Sequence, residues 1–586
     1  MLRFQRIRIL ILILGLTHGI CLAEDAASPE SGASPQRVNR SRYAAMAHPG
    51  DLRSINERLG PRTRPKAERP DWPEIKPVTV PLASMQRLPF GHKPIYNFGT
   101  PKAEAGNYWC TQGQVLYVPD KRSDAGVDRI IIGDYNHNTL QFTPAPSWWG
   151  GSHPEPGVLE QSWGEVGRPF FVERAYSAYS GIGFIIFNNG LIGSGSVNNV
   201  KYYPSFRFPP HKWPTSLAVT NKNEFLLVTI WDAKQQMAQL AVLALGLRDK
   251  GKVGSCLPNW GVHNLIKLLG YVDIPGLELP SGIACTAASN PRIPAPQFVY
   301  ELDYSTPQAR QRLAVDPQIA ASGYAVIISK TGNQASFIDL QPLFAGIQRH
   351  CFTTAEAAAK AQGFDLADGK WPYSFKHDPT MTPLPVTTIT VPTPTAVRTS
   401  MRAAHGRPAI AAIACEAGEL RVFTVGGLLT TAPAAPADVQ PHVTIPIGYN
   451  PVAISHQRQG DRLRTTQGSG TGSWDSINYV FLIACRGDKE IDWVEITPTG
   501  GECYRRFRDS RFSDPVHVQQ MRTNSTNEGY VFTVCDFEGR KVINYRLGDV
   551  HVERKDIPVP GGGEIECTGF MEFPGFPFMV SSDNVP

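Results

Sequence analysis

The chain has 586 residues, 57 Lys and Arg against 52 Asp and Glu, and a formal charge of +5. Three of those arginines fall in the first 23 residues, so the remainder carries +2 and no charge bias points to nucleic acid or an anionic surface. Its 53 glycines and 50 prolines sit between short Val, Ile, Phe and Tyr-rich runs rather than in tracts, the distribution of an all-β domain with many turns.

Residues 1–23 read as a secretory signal: Arg3, Arg6 and Arg8 precede an apolar core from Ile9 to Leu16, and Cys21-Leu22-Ala23 offers a small-residue cleavage site. That core is far shorter than the roughly 20 residues a spanning helix needs, so no integral membrane segment is expected after cleavage. The expected compartment is extracytoplasmic, secreted or periplasmic. Residues 24–88, rich in Pro, Ser, Arg and Ala, read as a linker, interrupted by one short helix from Asp51 to Leu59 that ends at Gly60.

Residues 89–586 are organised as repeats. His442 to Thr497 shows the plan most clearly: HVTIPIGYNPVAIS turns at Tyr449-Asn450-Pro451, and NYVFLIAC and IDWVEIT flank the polar turn Arg486 to Glu490. Strand, turn, strand, loop, strand, turn, strand is the order of a propeller blade. Similar copies end near Asp134, Asn188, Asp232, Lys330, Glu416, Arg486, Asp536 and Asp583, with spacings of 54, 44, 98, 86, 70, 50 and 47. The shorter spacings match the roughly 40 to 50 residues of a four-stranded blade. The longer ones imply insertions, placed at 288–320 and 350–385.

In IPIGYNPVAI at 445–454, and more loosely in FPPHKWPTSLAV at 208–219 and IPGLELPSGIAC at 274–285, the chain resembles the YVTN-type, lactonase-like β-propellers. The resemblance implies four-stranded antiparallel blades, seven in number with eight as the alternative, but no particular reaction. A propeller must also close its ring, and PFMVSSDN at the C-terminus looks like a truncated copy. Val78 to Leu82 or Pro94 to Phe98 are the expected donors that complete it, which places residues near 95 against residues near 578. One long helix is expected, Thr353 to Gln362, with Thr353 and Glu356 as a capping box; Asn264 to Leu269 is a second, shorter candidate.

Nine cysteines remain after signal cleavage, an odd number. Cys415, Cys485 and Cys535 share one repeat position and read as small buried residues between blades. Cys256 with Cys285, and Cys503 with Cys567, are open as disulfides. No metal or cofactor motif is present: there is no CxxC pair, HExxH, P-loop, EF-hand or GxSxG.

Propeller sites assemble from single residues on two loop sets of one face, the turns leading into each innermost strand and the turns joining second to third strands. Candidate ligand-binding residues from these loops are His137, His211, Trp213, Tyr449, Asn450, Asp514, His517 and Glu564, with Asn136, Asp232, Arg486, Lys489, Glu538 and Arg540 beside them. Mixed charge, imidazole and aromatic groups around one funnel suit a polar ligand or peptide. The expected function is a monomeric binding or scaffolding module for a protein or small polar ligand. The alternative is a lactonase-like hydrolase with a central acidic and histidine site, with or without a metal.

Overall fold

The computed structural model describes residues 58–64, strand segments between 114 and 196, and most of 201–582 apart chiefly from 254–264, 289–305, 310–319, 355–373, 401–407, 458–478, 522–530 and 548–564. The described residues form seven four-stranded antiparallel sheets. Their innermost strands are Pro169–Arg174, Lys212–Val219, Gly282–Ala287, Pro394–Thr399, Pro451–Gln457, Pro515–Met521 and Met579–Ser582. Each lies beside the next, and Met579–Ser582 lies beside Pro169–Arg174, so the ring closes as a β-propeller. The five blades running from Lys212 to Glu572 are described largely to their side chains; the other two are described mainly by backbone pairing.

The second strand of a blade is a continuous apolar run, not an alternating one, because both of its faces meet neighbouring blades. Phe225–Asp232, Gly323–Ser329, Ile410–Cys415 and Tyr479–Cys485 are buried at every position. Between the blades that contain Trp493 and Tyr545 the packing is aromatic. Trp493 and Phe532 meet edge-on at 5.3 Å, and Phe507 and Tyr545 do so at 5.0 Å, geometries that add to the area term. Cys415, Cys485 and Cys535 lie in these seams with at most 1% exposure. Cys285 and Cys503 also carry free thiols, so neither of the two pairings left open is formed.

Prolines set where the inner strands begin. Pro169, Pro394, Pro451 and Pro515 each open one, and the register slips by a residue directly after each of them. A residue without an N–H is tolerated on the channel-lining edge, and the bulge re-aims the side chains that follow. The turns from second to third strand share a left-handed residue: Gly190, Gln236, Asn333, Gly418, Lys489 and Arg540 all have φ between 50° and 93°. In one of them Asp232 accepts from the Lys234 and Gln235 amides at 2.9 and 3.1 Å, a turn cap by a local carboxylate.

Several expectations need correction. The ring is completed by Gln114–Val118, which pairs with Met579–Ser582, Leu116 opposite Val580; the two anticipated donors lie outside the described residues. Met579–Ser582, within PFMVSSDN, is therefore an innermost strand and not a truncated second-strand copy. The anticipated helix at 353–362 lies almost wholly outside the described residues. The helix that is described, Gln341–Phe352, follows Asp339, whose carboxylate accepts from the Gln341 amide at 2.8 Å. Asn264 to Leu269 is not helical where described: Leu265–Asp273 is the outer strand of its blade. Among the described residues no helix is long and apolar enough to cross a membrane.

Candidate functional site

Strand direction places the loops leading into the inner strands and the second-to-third-strand turns on one face of the ring. On that face, over the blades that begin at Pro451 and Pro515, lie residues 58–64, Arg-Leu-Gly-Pro-Arg-Thr-Arg, from within the stretch read as a linker. A helical turn ends at Leu59, and Gly60 follows with φ of 74°, the left-handed conformation that ends helices. A helix end leaves carbonyls without partners. Here the propeller supplies them. Asn450 donates from Nδ2 to the Leu59 and Pro61 carbonyls at 2.8 and 2.7 Å, and Arg486 donates from Nη1 to the Gly60 carbonyl at 2.6 Å.

The arginines of the segment meet acids on three loops. Arg64 donates to both Asp488 oxygens, Nη2 at 2.7 Å and Nε at 3.3 Å, and its guanidinium lies 5.5 Å from the Tyr449 ring centre. Arg62 bonds Glu538 and stands 3.7 Å from Asp514. Burial alone would raise the Asp488 carboxyl, but hydrogen bonds from Arg64 and the Tyr449 amide hold it below the usual range. Arg58 turns inward over the Phe578 ring at 5.9 Å, and burial lowers its guanidinium to about 10.

The receiving residues are fixed by the propeller itself. Asn450 is fully buried in a left-handed conformation, φ 46°, with its amide bonded to the Glu416 carbonyl and its carbonyl accepting from Arg486 N–H. The Arg486 side chain, wholly buried, forms a two-point bond to Asp514 at 2.7 and 2.8 Å.

Arg58 and Leu59 help to line a cavity of about 140 Å³ in the channel. All seven inner strands contribute to its wall, with Glu173, Ser216, Ile283, Arg398, Ala453, His517 and Met579 one from each. Arg398 pairs with Glu173 at 3.5 Å. His517 is held neutral, its pKa lowered to about 3 by burial first and then by the Arg398 and Arg58 charges.

Of the anticipated residues, Tyr449, Asn450 and Asp514 come together around the segment, with Arg486 and Glu538. His517 lies deeper, in the channel wall. His211 and Trp213 do not join them: the Trp213 indole donates to the Pro210 carbonyl at 3.0 Å and packs on its own blade's core, and the His211 carbonyl caps Ala233. Asp232 is turned into its blade, bonded by Lys212 at 2.6 Å. His137 and Glu564 lie outside the described residues. Asp488, Glu173, Arg398 and the segment itself were not anticipated, and the one signal for the last was a helix stop at Gly60 followed by spaced arginines. Among the described residues no three His, Cys, Asp or Glu side chains are grouped to hold a metal ion.

No protein-family model matches the chain, and no curated protein matches it. Solved structures similar to it include a protein of unknown function from Desulfotomaculum acetoxidans, with 9% identity, 78% of this chain and 99% of that one covered, and a TM-score of 0.39. A candidate 6-phosphogluconolactonase from Bacteroides uniformis has 9% identity, the same coverages and a TM-score of 0.37. Sqt1 from Chaetomium thermophilum has 12% identity, covers 70% of this chain and 88% of its own, and has a TM-score of 0.36. Likenesses of this size do not bear on function, and the fold rests on the sheets described above.

Proposed function

We propose that the chain is an exported β-propeller, seven-bladed and of the YVTN type, acting as a binding module that engages a protein partner through the face carrying Tyr449, Asn450, Arg486, Asp488, Asp514 and Glu538. The observation behind this reading is the seat that those residues make for a peptide: donors aimed at three successive backbone carbonyls, and acids placed for guanidinium groups. The hydrolase alternative has less to stand on, because Glu173 is paired with Arg398 and His517 is neutral beside two arginines. Residues 1–23 act as the export signal and place the module in the periplasm or outside the cell.

The test is panning of a random peptide library against the full chain, with enriched peptides re-measured on two variants. Asp488→Lys alters the seat, whereas Thr499→Lys alters an exposed turn on the opposite face. Peptides that bind the wild type and Thr499→Lys but not Asp488→Lys support the reading. A library that yields nothing sensitive to Asp488, panned on the wild type and on Arg62→Ala/Arg64→Ala alike, removes this face as the binding surface.

A further inference from the structure

We infer that the peptide this face accepts is an arginine-bearing glycine turn, and that residues 58–64 are a built-in occupant which a partner carrying such a turn must displace. The inference rests on the reading of this face as a binding surface and names what binds there.

The contacts divide as those of a receptor and a ligand do. Recognition of the Leu59, Gly60 and Pro61 carbonyls by Asn450 and Arg486 reads backbone alone, so a turn of another sequence satisfies it equally. Selectivity comes from the side chains. Leu59 is 7% exposed in the channel mouth, and the Arg64 side chain is 9% exposed between Asp488 and Tyr449, whereas Arg62 lies at the rim with 43% exposure. The position of Gly60 is restricted by its φ of 74° and by space, since a β-carbon there would stand 2.7 Å from Lys330 Nζ and 3.1 Å from Asn450 Oδ1. A ligand fitting this seat therefore carries an apolar residue, then glycine, then arginines two and four residues beyond it.

The seat does not depend on its occupant. Arg486 is fixed by Asp514, and Asn450 by main-chain bonds within the propeller. Such preorganised donors retain their geometry when the segment leaves, and the same surface is then open to a competing chain. An occupant supplied in cis competes at an effective concentration that reaches the millimolar range, so it weakens a trans ligand without any further contact.

The probe is a synthetic peptide of residues 56–68, labelled with a fluorophore and titrated by anisotropy into the full chain. Wild type is compared with Arg62→Ala/Arg64→Ala, which leaves the propeller loops intact, and with the same double variant carrying Asp488→Lys. Expected are at least about tenfold tighter binding to the double variant than to wild type, loss of that binding with Asp488→Lys, and weakening with salt. As a second route that alters no residue of the segment, a specific protease site inserted after Glu68 is cut in the folded chain, and the probe should then bind as it does to the double variant. Trypsin cleavage of the Arg62–Thr63 bond in the wild type reports the cis occupant itself, since the Arg62 side chain is held by Glu538 and lies near Asp514. Slow cleavage there together with no probe binding by either opened form makes the segment a fixed part of the fold and overturns the inference, while the library experiment still judges the face. Cleavage as fast as in the free probe peptide overturns the inference together with the observation beneath the broader reading.

Discussion

Arg486→Met is the sharpest perturbation of the site. The side chain is wholly buried, gives Asp514 two bonds of 2.7 and 2.8 Å, and gives the Gly60 carbonyl a third. Methionine keeps much of the volume but leaves the Asp514 carboxylate, 2% exposed, without its principal partner. Breaking one side of a buried pair costs about 3–5 kcal/mol, and the lost bond to Gly60 adds about 1 kcal/mol. With an unfolding entropy of about 2 cal/mol/K per residue over a cooperative unit of roughly 450 residues, 1 kcal/mol corresponds to about 1 °C in Tm. Calorimetry should thus show a fall of about 4–6 °C. Adding Asp514→Leu removes the stranded charge and should restore most of the loss, because apolar replacement of a buried pair is often close to neutral. It cannot restore the Gly60 contact, so tryptic cleavage at Arg62–Thr63 should remain fast in the double variant although its Tm recovers. A single variant within about 1 °C of wild type, or a double variant less stable than the single, would refute the account of Arg486 as a buried, paired charge that also holds the segment.

Other outcomes follow from the same contacts. Asp492, fully buried, is raised to about 8 by burial and by the neighbouring Glu490 charge. Between its unfolded value of about 3.9 and 8 the folded chain binds a proton the unfolded chain releases, so stability falls as pH rises through that window. Asp492→Asn should remove this slope, and the Tm difference between variant and wild type should grow from pH 4 to pH 8; a constant difference counts against it. Gly60→Val forces a β-branched residue into a left-handed backbone, so trypsin should cut the Arg62–Thr63 bond at least about tenfold faster than in wild type while the propeller itself stays resistant. Burial raises the Cys415 thiol to about 12 and the Cys485 and Cys535 thiols well above the ordinary range. Thiol labelling followed by peptide mapping should leave these three unmodified until the chain unfolds.

The blades were legible because their chemistry is local. A second strand such as FLLVTIWD or YVFLIAC must be apolar along its whole length to lie between two neighbours, and the turn after it must seat a left-handed residue, so both leave marks in the sequence. Strand order then placed Tyr449, Asn450, Asp514, Arg486 and Glu538 on one face without any knowledge of distance. What lies on that face was not legible. RLGPRTR has one apolar side chain and no periodicity, and its order comes from partners about 390 to 480 residues away, as Asn450 lies from Leu59 and Glu538 from Arg62. Loop class alone also overcounts: His211 and Trp213 lead into an inner strand as Tyr449 and Asn450 do, yet the indole N–H is taken by Pro210 and its ring packs on its own blade's core.

The mouth and the chamber beneath it act as one electrostatic unit. Arg58 is the residue they share: it enters with the segment, forms part of the cavity wall, and is one of the two charges that keep His517 neutral. With the segment seated, the chamber of about 140 Å³ is lined by Arg58 and Arg398 with Glu173, and Leu59 forms part of its wall. Removing the segment takes away one positive charge and admits water, and both changes favour a protonated imidazole, since lost burial and lost cationic repulsion each raise a histidine pKa.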